Sequence, residues 1–206
     1  MLKIIPYILD FIFPLEESGK LVSDATVASI KNLYQPGTYE GIQYVIPYSS
    51  PLARALITEN KFSKNTKAAC DLAQVLQQWL GERDRGRKIV LIPIPLSSKR
   101  QRERGYNQVV TLLHQLDLGN RFEINEQILF RTHHTTPQTS LKRKERLTNL
   151  KNAFSCNGER LISYSDCTII IIDDVVTTGA TLKTARAKLQ PNLPPSTTLI
   201  CLAIAH

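Results

Sequence analysis

The chain predicts an α/β domain, a mainly parallel sheet covered by helices on both faces. Three observations predict it. The runs "KIVLIPIP" (88–95), "CTIIIID" (167–173) and "TTLICLAIA" (197–205) are apolar without alternation, as strands buried on both faces are. Between the strands stand segments with apolar residues at three- and four-residue steps, and such alternation reads as crossover units of a parallel sheet. Finally, 206 residues suffice for one domain of this kind with a small appendage.

The elements follow in order. Residues 1–44 read as a mixed leader or appendage, with a turn-like "YQPGTYEG" at 34–41, and residues 45–206 as the main domain. Pro51 to Trp79 is helical: Leu52, Leu56, Cys70, Ala73, Leu76 and Leu80 recur at helical steps around a polar break at Asn60 to Asn65. Gly81 to Lys88 is a charged loop. In the strand 88–95, Pro93 and Pro95 cannot donate to a ladder, so pairing is expected to stop near Ile92. Helical spacing returns at 105–116, and "FEINEQILF" (122–130) alternates loosely as one strand. Residues 131–151 are basic, polar and proline-broken, and read as a long exposed loop. "CTIIIID", the helix "TGATLKTARAKL" and the last strand complete the order.

Composition narrows the class. No stretch approaches the roughly 18 apolar residues that span a bilayer. Pro6, Asp10 and Pro14 interrupt the apolar start "MLKIIPYILDFIFPLEESG", so a short packed helix is expected there rather than a signal peptide. Cys70, Cys156, Cys167 and Cys201 lie far apart and form no C-x-x-C pair, which reads as reduced core cysteines of a cytoplasmic protein. With Lys+Arg 26 against Asp+Glu 18, the net charge of +8 suits a polyanion, either a phosphorylated metabolite or a nucleic acid.

The most informative stretch is "IIIIDDVVTTGAT", 169–181. Ligands of open α/β sheets bind at the carboxyl ends of strands, where Asp173 and Asp174 fall. Adjacent strand side chains point to opposite faces, so the pair is expected where the strand opens into a turn. Two carboxylates together repel unless a diol, a cation or water satisfies them. Behind them, Thr177, Thr178, Gly179, Ala180 and Thr181 open a helix whose free N–H groups and dipole make an anion site. A diol reader followed by a phosphate cradle describes a ribose 5-phosphate. A simple helix cap would need one acid or hydroxyl rather than this set. Neither G-x-x-x-x-G-K-[ST] nor G-x-G-x-x-G follows any strand.

This stretch resembles the phosphoribosyl pyrophosphate (PRPP) signature of type I phosphoribosyltransferases. The resemblance implies a Rossmann-like parallel sheet with a flexible basic hood loop, Mg²⁺ bound along with PRPP, and glycosidic bond formation at the anomeric carbon. A second segment, "IPIPLSSKRQRERGYNQ" (92–108), places Lys99, Arg100, Arg102 and Arg104 between a strand end and a helix start. Cations there could hold a pyrophosphate, arginine bidentately. Gln108 is expected to be an ordinary first-turn polar residue.

Together with "RTHHTTPQTSLKRKERLTNLKNAF" (131–154), this segment is similar to the ComF family, phosphoribosyltransferase-like proteins that include competence-associated members. The matching positions are Arg104, Gly105, Asn107, Gln108, Arg131, Pro137, Gln138, Arg146, Asn149 and Phe154, and the resemblance runs from about Tyr48 onward. By position, 131–151 corresponds to the hood loop, which would close over PRPP and exclude water. One departure stands out: "LDFIFP" (9–14) is kept, yet "LEESGKLVSD" follows where such proteins carry paired zinc-binding C-x-x-C motifs. No zinc site is expected, and His133 and His134 lack further ligands at metal spacing.

The resemblance implies candidate catalytic roles for Asp173, Asp174, Arg104 and Arg131. It implies ligand-binding roles for Val175, Val176, Thr177, Thr178, Gly179, Ala180, Thr181, Lys99, Arg100, Asn107 and Arg146. The expected reaction is attack of an acceptor nitrogen on C1 of PRPP as pyrophosphate leaves, with no general base in view. The alternative is a binding module, a nucleotide sensor or a single-stranded-DNA accessory of the competence machinery. DNA binding would want aromatics for stacking, and Tyr106 is the one near the basic segments. The acceptor and the oligomeric state, a homodimer included, have no readable code.

Overall fold

A computed structural model of the chain describes residues 15–83, 86–132 and 153–206. Its strands are β1 (Gly37–Tyr39), β2 (Ile42–Ile46), β3 (Ile89–Pro93), β4 (Phe122–Ile124), β5 (Leu129–Arg131), β6 (Phe154–Cys156), β7 (Thr168–Val175) and β8 (Thr198–Ala205). Its helices are α1 (Leu15–Asp24), α2 (Val27–Asn32), α3 (Pro51–Thr58), α4 (Thr66–Gly81), α5 (Ser98–Arg104), α6 (Gln108–Leu113), α7 (Gly158–Leu161) and α8 (Ala180–Leu189). Six strands form one sheet in the order β1-β2-β8-β7-β3-β4. Only β1 is antiparallel to its neighbour. The expected α/β architecture is what the chain adopts.

The unbroken apolar runs have a geometric reason. On β7, Ile169 and Ile171 join one core cluster with Leu182, Ala185 and Leu189 of α8. Ile170 and Ile172 join the other, with Leu56 of α3, Leu76 of α4 and Val109 of α6. Both faces of the strand are therefore buried, each side chain contributing about 1.5–3 kcal/mol. Among the described residues no helix is long and apolar enough to cross a membrane.

Described residues before 45 share this core. Val22 of α1 and Ile30 of α2 pack in the cluster that holds Leu56 and Ile172. The turn-like 34–41 stretch contains β1 and the hairpin turn into β2, with Glu40 at φ 48° and Gly41 at φ 80°. Two positive φ values in succession are those of a tight hairpin turn that matches strand twist. The boundary drawn at residue 44 falls inside β2, whose Val45 and Ile46 are fully buried.

The polar break between helices is a π-turn, Glu59–Ser63, closed by Lys64 at φ 52°. Asn65 then caps α4, accepting from the Ala68 N–H at 3.2 Å. Glu59, Asn60 and Lys61 of this turn are buried, and π-turns of this kind recur at functional sites.

Three expectations need correction. Pairing of β3 does not stop at Ile92: Pro93 stands in register with Ile172, and the Ile94 N–H donates to the Ile172 carbonyl at 2.8 Å. Odd-numbered residues of β3 face β4, which has ended by Asn125, so the donor that Pro93 lacks has no strand to meet. Residues 122–130 are two strands rather than one. β4 joins the main sheet, and after a bend held by the Asn125 side chain, β5 pairs antiparallel with β6. Cys70 is exposed, while Cys167 and Cys201 are buried as expected; α4 turns Ala69, Leu72 and Ala73 inward instead.

Candidate functional site

β7 carries Asp173 and Asp174 to the carboxyl edge of the sheet. Pairing continues through them: Asp173 is in register with Ala203 and Val175 with Ala205. The expectation that both acids sit in an open turn is thus corrected. They remain on the strand and point to opposite faces, because the Val176 N–H still donates to the Ala205 carbonyl at 2.9 Å.

Asp173 faces the α8 side and lines a small half-open cleft with Val175, Val176, Thr177, Thr178, Gly179, Ala180, Thr181 and Leu182. The cleft measures about 30 Å³, well below the volume that encloses a whole nucleotide. Gly179 is the N-cap of α8 at φ 69° and offers no capping side chain. The first turn of α8 lines the cleft, which puts the positive end of its dipole there. Thr177 and Thr178 are exposed, and the Thr178 hydroxyl accepts from the Ala180 N–H at 3.4 Å. Val176 has a different part: its side chain is buried and its carbonyl lies 3.1 Å from His206 Nδ1. His206 in turn stacks on Tyr39 with ring centroids 4.1 Å apart.

Asp174 faces the other way, into a buried polar network. Its Oδ2 accepts from Gln108 Nε2 at 2.8 Å and lies 3.3 Å from Lys61 Nζ. Gln108, 2 % exposed, opens α6, and Lys61 comes from the π-turn. That turn is fastened on several sides. Asn60 donates to the Gln108 carbonyl at 3.0 Å, the Tyr106 hydroxyl donates to the Asn60 carbonyl at 2.7 Å, and the Ser18 hydroxyl donates to Glu59 Oε1 at 2.5 Å. Gln108 does open the first turn of α6, but it is a buried partner of Asp174 rather than an ordinary polar residue there. Burial pulls it there, since a buried carboxylate needs donors.

The two acids titrate apart. Burial first, and then the charge of Asp174, pushes the Asp173 carboxyl up to about 7. Burial acts on Asp174 in the same sense, but Lys61, the Gln108 amide and the charge of Arg104 outweigh it and hold that carboxyl below its ordinary value. One acid is a fixed anion and the other is poised near neutrality.

The cations form a helix of their own, α5, ended by Gly105 at φ 75°. They differ in placement. Lys99 is exposed and pairs with Glu103 at 3.8 Å. Arg100 is exposed and within electrostatic reach of Asp173. Arg104 is half-buried, its guanidinium 5.0 Å from the Phe62 ring centroid. Its Nη1 is buried with no hydrogen-bond partner among the described residues. An orphaned charged donor of this kind is costly unless a ligand oxygen meets it. Phe62 is 47 % exposed, so Tyr106 is not the sole aromatic beside the basic helix. Asn107 caps α6, accepting from the Val109 N–H at 3.0 Å and donating to the Ile94 carbonyl at 2.9 Å.

Arg131 stands on β5 in register with Phe154, its guanidinium 5.2 Å from that ring. Arg146 and the rest of the hood expectation (His133, His134, Pro137, Gln138, Asn149) lie outside the described residues, as does "LDFIFP". Residue-type patterns did not reveal Lys61. Its only trace is the polar interruption of a helical repeat.

No protein-family model matches the chain. Among curated proteins it is 33% identical over 154 residues to competence protein F of Haemophilus influenzae, covering 73% of this chain and 66% of that protein. It is 29% identical over 174 residues to the DNA utilization protein YhgH of Salmonella typhimurium, covering 82% of this chain and 74% of that protein. Competence protein ComFC of Bacillus subtilis matches at 39% over 93 residues, 45% of this chain and 35% of the relative. Two solved structures overlap it in part. They are a hypoxanthine phosphoribosyltransferase of Staphylococcus aureus (TM-score 0.36, 17% identity, 66% of this chain and 63% of that one) and an allosteric regulatory enzyme of purine biosynthesis (TM-score 0.40, 11% identity, 70% and 30%). The matches to competence protein F, YhgH and ComFC, on a mainly parallel α/β sheet, make this chain a member of the ComF family.

Proposed function

We propose that this chain binds PRPP with Mg²⁺ and transfers or exchanges its phosphoribosyl group at a nitrogen acceptor. The observation that carries the reading is the pairing of a cleft-facing carboxylate, Asp173, with the N-terminus of α8 behind it, whose N-cap Gly179 has no side chain to cap it. A ribose diol needs hydroxyl acceptors, and a 5-phosphate needs N–H donors, in that order along the chain. Arg104, with its unpartnered Nη1, takes the pyrophosphate, assisted by Arg100. On this reading Arg131 or, outside the described residues, Arg146 supplies a further cation to it. Such catalysis rests on positioning and on charge stabilisation rather than on a general base.

Mg²⁺ takes oxygen donors and is commonly held by one or two carboxylates together with substrate phosphates. Asp173 beside threonine hydroxyls is a donor set of that kind, so the residues fit. When bound, the ion would neutralise the charge that develops on the leaving pyrophosphate. Calorimetric titration of PRPP with Mg²⁺ tests the reading. Saturable binding by the wild type, lost in Asp173→Asn, is expected; absence of wild-type binding would sink it.

The relatives' names speak of competence and DNA utilization, and we place the protein's work in DNA uptake and use. One observation favours a second reading, single-stranded DNA binding: Phe62 is exposed beside Arg104, on the turn whose Asn60 carbonyl accepts from the Tyr106 hydroxyl. A salt-dependent fluorescence titration with an oligothymidine separates the two readings. DNA binding unaffected by Asp173→Asn would favour it.

A further inference from the structure

Two carboxylates adjacent in sequence on a buried strand need charge balance, and the two faces of the sheet supply it differently. On the α8 side, Asp173 opens into the cleft. On the opposite side, Asp174 is 9% exposed and meets a buried ammonium and a buried amide. The ammonium is not a flexible surface charge: the Lys61 side chain is 9% exposed. Its backbone belongs to a turn pinned by contacts from α1, α4 and α6 through Ser18, Asn65 and Gln108. Burying such a cation in a π-turn is costly on its own, and a partner charge offsets that cost.

We propose that Lys61 is a positioning residue of the site: it clamps and neutralises Asp174 from the face opposite the cleft, leaving Asp173 to meet the ligand. The consequence for the ligand rests on the phosphoribosyl reading; the clamp itself does not. Lys61 then acts through Asp174. Without it, an uncompensated buried anion would displace the end of β7 and the 176–179 turn that follows it from the ligand.

The test joins a melting cycle to a binding titration on the full chain. Lys61→Met keeps the length of the side chain and removes the charge, and its melting temperature should fall on the order of 10 °C. Lys61→Met/Asp174→Asn, with both charges gone, should recover at least half of that fall. Lys61→Arg should melt near the wild type. At a temperature where every variant is folded, Lys61→Met should bind PRPP with Mg²⁺ at least tenfold more weakly, and Lys61→Arg should restore affinity. A purely structural lysine would lower the melting temperature and leave the affinity of the folded protein unchanged. No recovery in the double variant, or wild-type affinity in folded Lys61→Met, would overturn the assignment. A wild type that binds no PRPP overturns the phosphoribosyl reading instead, and the melting cycle still decides the clamp.

Discussion

Gly179 lies so close to Ile42 that a Cβ built on it would stand 2.5 Å from Ile42 Cδ1. The contact brings the first residue of β2 against the cap of α8, and so joins the sheet edge to the phosphate cradle. With φ at 69° the position also disfavours any L side chain.

Gly179→Ala should therefore lose about 2–4 kcal/mol of stability, from the left-handed backbone and from overpacking together. Ile42→Val removes the clashing methyl, so Gly179→Ala/Ile42→Val should be less destabilised than the sum of the two single changes. Urea denaturation of the four proteins measures this. Simple additivity would mean that the contact is not what excludes a side chain.

Stability should depend on pH through Asp173. Burial and the Asp174 charge push its carboxyl up to about 7, while the unfolded chain releases that proton near 4. Between those values the folded state holds more protons, so stability is greatest toward the acid end and declines as pH rises to about 7. Asp174, held low, has the opposite sign, and its contribution is lost only as pH falls below about 4. Denaturation midpoints should therefore decline from pH 5 to about 7 in the wild type, level off above that, and stay flatter throughout in Asp173→Asn. An equal slope in both would remove Asp173 from the account.

Gln108→Leu keeps the bulk and takes a donor from a buried carboxylate. A cost of about 1.5–3 kcal/mol is expected in chemical denaturation. Asn107→Ala one position earlier loses a helix cap and should cost about 1 kcal/mol. A Gln108→Leu protein as stable as the wild type would show that Lys61 alone suffices for Asp174.

The cations of α5 should not be equivalent. Arg104→Ala removes the guanidinium with the unpartnered Nη1, and should weaken pyrophosphate binding in the presence of Mg²⁺ roughly 10- to 100-fold. Lys99→Ala removes an exposed cation already paired with Glu103 and should change it less than about twofold. Isothermal titration with pyrophosphate reads both. Equal losses would point to diffuse basic charge rather than a built site.

Much of this protein was legible from residue order. The uninterrupted apolar runs announced strands buried on both faces, because successive isoleucines of β7 and most apolar residues of β8 pack alternately into the two core clusters. The acid pair, the threonine–glycine turn and the helix behind it are local in the chain, and local geometry is what residue spacing encodes. The break at 60–65 was visible as a break. Its use was not: what brings Lys61 and Gln108 to Asp174 is the packing of α3, α4 and α6 on the sheet, and the Gln108 contact spans 66 positions of sequence. The opposite orientation of the two acids likewise depended on β7 staying paired through Val175, which the neighbouring β8 decides. Spacing along the chain sets which side chains share a strand or a turn. Only the fold sets which distant ones meet, and here that meeting divides two adjacent carboxylates between a buried counter-charge and an open cleft.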